Sequence, residues 1–184
     1  MDERGQIKSA REIGALLEIE GRQIKSSEGT IFVGCSDGDQ FNDVYRHHCH
    51  VCEVLRHHPL LLNGGAMLLS KHSPIRGAKR DGTVFLRHIN AASCIKHITT
   101  VVLYVHAPCG VARAAKLDFW EVMRLLVEAK LRLLSQRGSR KLKISCFCHV
   151  DFNGGDSPQK KRTYFVDREA MTELLKANGR EVRF

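Results

Sequence analysis

A chain of 184 residues, 43% hydrophobic and 27% charged, has the length and composition of one compact globular domain with a sizeable core, which excludes a wholly disordered or fibrous chain. No apolar run approaches the roughly 18 residues that span a bilayer, and the polar start Met1-Asp2-Glu3-Arg4-Gly5-Gln6 is unlike a secretory signal, so a cytoplasmic protein with no membrane partner is expected. The seven cysteines, an odd number, point to free thiols or thiolate ligands rather than a disulfide framework, and the net charge of +9 comes from scattered basic residues that read as solvated surface, so no nucleic-acid partner is expected.

In chain order, Ser9 to Ile24 carries Ile13, Leu16, Leu17 and Ile24 among charges, which predicts a helix, and Ser26 to Thr30 predicts a turn. Thr30 to Cys35 reads as a short buried strand ending in a polar loop. Gln40 to His58 places Phe41, Val44, Tyr45, His48, Cys52 and Leu55 at three- and four-residue intervals, predicting a helix stopped by Pro59. Beyond a looser stretch with Asn63-Gly64-Gly65 and Ser73-Pro74, Thr83-Val84-Phe85-Leu86 predicts a second strand, and the β-branched run from Thr99 to Val105 predicts a third. Asp118 to Ser135 is an amphipathic helix, Lys141 to Val150 a fourth strand, and Asn153 to Pro158 a turn. Arg162 to Val166 then predicts a fifth strand and Arg168 to Ala177 a closing helix. The alternation predicts an α/β fold, a mainly parallel central sheet of four to five strands flanked by helices.

In such sheets, ligands gather where loops converge at the carboxyl ends of the strands. The first predicted strand ends in Cys35-Ser36-Asp37-Gly38-Asp39, and the third in His106-Ala107-Pro108-Cys109-Gly110. Two thiolates and an imidazole are ligand types that zinc prefers, and three protein ligands leave a fourth tetrahedral position for water. A turn directly after a strand lets His106 and Cys109 point at one ion, with Gly110 expected to allow a tight backbone path.

These residues carry a resemblance. Cys35-Ser36-Asp37 is similar to the start of the Cys-x-Asp-x-Arg motif of the β-class carbonic anhydrases, and His106-Ala107-Pro108-Cys109-Gly110 to their His-x-x-Cys-Gly motif, in the same order. The likeness runs from about Ile31 to Ala115 and extends more weakly to Gly82 to Arg87, which resembles the family's strand leading to an Arg-Asn element. It implies a β-carbonic-anhydrase-like domain over 1-184, with an N-terminal helical segment 1-28, a zinc-site core 29-150 and a C-terminal strand and helix 151-184. It also implies one Zn2+ per subunit on Cys35, His106 and Cys109, whose bound hydroxide attacks CO2 to give bicarbonate. Asp37 would accept a hydrogen bond from that hydroxide or, in a closed form, become the fourth ligand. Family members are commonly dimers or higher homo-oligomers, so a homodimer is the expected assembly.

The chain departs from the family at Asp39, where the motif has Arg paired with the Asp. Two neighbouring carboxylates without that cation favour protonation of one or movement of Asp37 onto the metal, which sets a non-catalytic zinc protein beside the lyase as the alternative. Arg46, Arg87 and Arg113 are candidate replacements. Arg87-His88-Ile89-Asn90-Ala91-Ala92 matches the family's Arg-Asn-Ala-Gly element only loosely.

The His47-His48-Cys49-His50-Val51-Cys52 run, followed by His57-His58, is rich in metal-ligand types, but helical spacing brings no four good ligands together. His48 and Cys52 continue an apolar stripe, so a core or dimer-facing role is expected rather than a second metal. Cys146 and Cys148 are expected to face one side of a strand, and Phe147 and His149 the other.

Overall fold

The computed structural model describes residues 1–18, 24, 28–54, 56–136, 142–152 and 160–183. Helix α1 (Glu3–Glu12) is capped by the Asp2 carboxylate, which accepts from the Gly5 N–H. It ends well before Ile24, because Gly14 takes a φ of +75° and turns the chain into a short strand, β1 (Leu16–Glu18). The helix expected over Ser9 to Ile24 is therefore displaced towards the N-terminus and followed by a strand.

Strand β2 (Thr30–Gly34), buried along its length, leads into α2 (Gly38–Val51). That helix stops short of Pro59, and His57–Leu61 form β3 instead. Pro59 is tolerated there because β3 is an outer strand, paired only with β2, where a missing N–H costs no inner ladder bond. A 3-10 turn (Gly65–Leu69) and α3 (Ala78–Lys96) follow. The strand expected at Thr83 to Leu86 lies inside α3. Its buried positions Ala78, Gly82, Phe85, Ile89 and Ala92 recur every three or four residues, and this longer helical period overrides the local β-branched run.

The remaining elements are β4 (Thr100–Ala107), α4 (Gly110–Ala114), α5 (Phe119–Leu134, capped by Asp118), β5 (Lys143–Asp151), β6 (Lys161–Val166) and α6 (Arg168–Ala177). Apart from α4, which was not expected, these agree with the expected elements to within two residues. The turn expected at Asn153 to Pro158 lies outside the described residues.

The six strands form one sheet in the order β1-β6-β5-β4-β2-β3. From β5 to β3 the pairings are parallel, whereas β6 and β1 join antiparallel. The α/β class with helices on both faces is as expected, and β1 and β3 add strands beyond those foreseen. On one face Ile31, Val33, Val101, Leu103, Cys146 and Cys148 pack under α1, α3, α5 and α6. On the other, Phe32, Val102, Tyr104 and Phe147 pack under α2, with Tyr104 stacked on Phe147 at 5.2 Å.

A buried polar network ties the C-terminal segment to α5. Glu128, 3% exposed, accepts from Arg124 Nη1 at 2.6 Å and from the Arg183 N–H at 3.0 Å, and also from Ser70, with His72 Nδ1 at 3.3 Å. No helix among the described residues is long and apolar enough to cross a membrane.

Candidate metal centre

Because β2 and β4 are parallel neighbours, their carboxyl ends emerge on the same edge of the sheet, and the loops that follow them meet there. Cys35 directly follows β2, His106 is the penultimate residue of β4, and Cys109 precedes α4 as its N-cap. The Sγ atoms of Cys35 and Cys109 and a ring nitrogen of His106 all lie within 4.8 Å of one another. Two thiolates bound to one zinc at ~2.3 Å would stand about 3.8 Å apart, so atoms this close could hold such an ion. Among the described residues this is the one cluster of three or more His, Cys, Asp or Glu side chains so placed.

Each donor is oriented by the backbone. His106 Nδ1 lies 2.9 Å from the Pro108 carbonyl, an arrangement that keeps the proton on Nδ1 and leaves the Nε2 lone pair free. That Nε2 is buried and has no hydrogen-bond partner. A buried nitrogen lone pair facing two sulfurs is what a metal ion would satisfy, so the residues present fit such an ion. The Gly64 N–H donates to Cys35 Sγ at 3.3 Å. The two sulfurs share a proton: the Cys109 thiol donates to Cys35, holding Cys35 well below the ordinary thiol range and pushing Cys109 above it. Burial works against an imidazolium at His106, but the Cys35 sulfur, the Asp37 carboxylate and the Pro108 carbonyl outweigh it and raise its pKa.

The Asn63-Gly64-Gly65 turn, unassigned in the sequence, is part of the site. Gly65 has a φ of +51°, and a Cβ there would stand 2.5 Å from the Cys35 amide nitrogen. Ser36 Oγ adds a 2.8 Å bond to Asn63 Oδ1. The tandem glycine was the available signal, since close backbone approach requires it. Gly110, by contrast, has open space where its Cβ would be and no positive φ, so the His-Cys turn does not depend on its backbone freedom.

Asp37 caps α2, with Oδ1 accepting from the Asp39 N–H at 3.0 Å, while its Oδ2 lies 3.9 Å from His106 Nε2. It thus stands beside the three donors but outside their cluster. The Asp39 side chain is exposed in the first turn of α2, where a carboxylate complements the helix dipole. No Arg or Lys among the described residues forms an ion pair with Asp37. Arg46 pairs with Asp43 at 3.5 Å, Arg87 is exposed on α3 rather than at a strand end, and Arg113 is exposed after the His-Cys loop.

Of the histidines of α2, His48 builds core, His47 is half-buried and His50 is exposed. His48 is fully buried, with Nε2 2.9 Å from Thr30 Oγ1 and Nδ1 3.7 Å from Cys52 Sγ, and His57 Nδ1 lies 3.1 Å from the same Thr30 hydroxyl. His149, on β5 beside His106, has Nδ1 2.7 Å from Thr163 Oγ1.

No family model matches the chain, and no curated protein matches it. Among solved structures it is similar to two mutant forms of the β-carbonic anhydrase CafD of the filamentous fungus Aspergillus fumigatus. Both are 11% identical over 83% of this chain, covering 98% and 99% of theirs, with TM-scores of 0.47 and 0.45. It is also similar to the β-carbonic anhydrase CafA of the same fungus, at 14% identity over 95% of this chain and 89% of that one, with a TM-score of 0.36.

Proposed function

We propose that this chain is a zinc-dependent lyase of the carbonic anhydrase type that hydrates carbon dioxide to bicarbonate. The observation that carries the reading is the convergence of Cys35, His106 and Cys109, with the His106 Nε2 buried and unpaired. Zinc at this position would supply a water acidic enough to act as a nucleophile near neutral pH, its pKa lowered to about 7. The two sulfurs and the imidazole would hold the ion, and Pro108 and Gly64 would orient His106 and Cys35 through the bonds described above. Asp37, one oxygen tied to the helix backbone, would offer the other as a hydrogen-bond acceptor next to the open corner. The same reading takes residues 1–184 as one domain of a cytoplasmic protein that assembles as a homodimer or higher homo-oligomer, which sedimentation tests.

A second reading is favoured by one observation: the Asp37 carboxylate stands 3.9 Å from His106 Nε2 with no ion-paired cation among the described residues to hold it away. In that reading Asp37 closes the site and the protein is a non-catalytic zinc binder. Stopped-flow hydration by fully zinc-loaded protein, measured across roughly pH 7 to 9 around the titration of a zinc-bound water, separates the two. Metal-dependent turnover supports the lyase, and its absence in loaded protein supports the closed site. Asp39→Arg should raise turnover in the second case by drawing Asp37 off the metal, and a site still closed by Asp37 in that variant counts against the idea.

A further inference from the structure

A small cavity of about 50 Å³ lies where the loop after the 3-10 turn, the later turns of α5 and the C-terminal segment meet, and none of the three metal donors lines it. A water takes up about 30 Å³ in the liquid, so the space suits one ion of a few non-hydrogen atoms and is too small for an organic body. Lys71 and His72 line it from the loop, Arg132 from α5 and Arg183 from the C-terminal segment. Glu128 is the acid among its described lining residues.

The basic groups of this cavity lack counter-charges. Among the described residues no carboxylate lies within ion-pair distance of Lys71, Arg132 or Arg183, whereas their neighbours Arg124 and Arg180 each hold two acids. Arg132 is the least compensated. It is half-buried, its Nη1 donates to the Leu69 carbonyl at 2.8 Å, and its Nε is buried without an acceptor. Burial draws its pKa down, and no carboxylate opposes that shift. A guanidinium withdrawn from water without a counter-charge is destabilising, and a bound anion offsets that cost. Lys71 and Arg183, both exposed, stand on the two chain segments that flank it.

Two features would repel an anion, and both are engaged elsewhere. The Glu128 oxygens accept from Arg124 Nη1 at 2.6 Å, from the Arg183 N–H at 3.0 Å and from Ser70. The Arg132 carbonyl, at the negative end of the α5 dipole, accepts from Ser135 Oγ at 2.9 Å.

We infer that this cavity binds a small inorganic oxyanion of the phosphate class, with Arg132 as its inner contact and Lys71 and Arg183 as its outer ones. The site is separate from the metal centre and stands or falls apart from the lyase reading.

The test titrates inorganic phosphate into the full, chelator-treated chain in a chloride-free buffer of low ionic strength, followed by calorimetry and by phosphorus NMR. Saturable binding to one site per chain with a Kd on the order of 1 mM is expected. Arg132→Met, which keeps the alkyl stem, should weaken binding about tenfold, and Lys71→Ala and Arg183→Ala about threefold each. Those two side chains are exposed, so their variants test the site even if Arg132→Met does not fold. Lys79→Ala, which removes an exposed lysine of α3 outside the cavity, should leave the affinity unchanged. Binding without saturation, displacement by chloride at equal concentration, or affinity indifferent to all three cavity variants overturns the inference. So does a loss in Lys79→Ala as large as that in Lys71→Ala, which would mark a diffuse surface field and no built site. Zinc failing to bind while phosphate still does would sink the lyase reading alone.

Discussion

Lowering the pH from 7 to 5 is expected to remove about 6 kcal/mol of folding stability, because three imidazoles are buried in neutral form beneath α2. Burial, reinforced by neighbouring imidazoles, holds His48 down to about 3, and His47 and His149 to about 4 each. In the unfolded chain each would titrate near ~6.5. The folded-state values are depressed, so the unfolded chain binds more protons at intermediate pH. Stability is therefore complete above about pH 6.5 and is lost as the pH falls towards 4. At pH 5, which is 1.5 units below the unfolded value, each group contributes about 2 kcal/mol in favour of unfolding. Three such groups approach the whole net stability of an ordinary domain, about 5–15 kcal/mol. Urea unfolding of chelator-treated protein at pH 7, 6 and 5 reads the effect without interference from metal release. The midpoint should fall steeply, with about three protons taken up on unfolding near pH 5, and His48→Asn should reduce that uptake by about one. A midpoint unchanged between pH 7 and 5, or assigned resonances of His47, His48 and His149 in the folded protein titrating near ~6.5, would refute the reasoning.

Cys109→Ala should lower bound zinc from one per subunit to well under a tenth while the circular dichroism spectrum stays native, since metal analysis then reports a lost donor and not lost folding. Gly65→Ala should cost about 1–3 kcal/mol, because its backbone lies at a φ of +51° and the added Cβ would strike the Cys35 amide. Competition with a chromogenic chelator should show weakened zinc affinity in the same variant, and unchanged affinity would mean that the turn does not position Cys35. Glu128→Ala should destabilise the fold by about 3 kcal/mol through loss of the buried bond to Arg124, measured as a shift in urea midpoint. Its zinc content should not change, because Glu128 lies outside the metal cluster.

Cys35 and His106 were legible as candidate donors because each sits at the end of a strand whose own composition is unambiguous. The runs Ile31-Phe32-Val33 and Val101-Val102-Leu103 are apolar throughout, as strands covered on both faces must be, and this places Cys35 and His106 at their carboxyl ends. The chain alone likewise separated the faces of β5, where Cys146 and Cys148 join one core and Phe147 the other. The amphipathic pattern of α5 was equally plain, and the structure adds the caps of α5 and α6, Asp118 and Asp167. The glycine pair at 64 and 65 was visible as a turn but not as a support of Cys35, because that role is a contact between segments 29 residues apart in the chain.

What tertiary structure decided was whatever depended on a distant partner. Leu16 to Glu18 became a strand because β6 offered an antiparallel edge, and His57 to Leu61 because β2 did, although Pro59 argued locally for a break. Thr83 to Leu86 became helix because Phe85, Ile89 and Ala92 found a common core, which outweighs the β propensity of four residues. The sequence alone therefore singled out Cys35, His106 and Cys109, through strand-end position together with two motifs resembling those of the β-carbonic anhydrases, and the fold brings the three together. The placement of Asp37 without an ion-paired cation, and the cavity lined by Lys71, Arg132 and Arg183, arose only when segments remote in the chain were packed together.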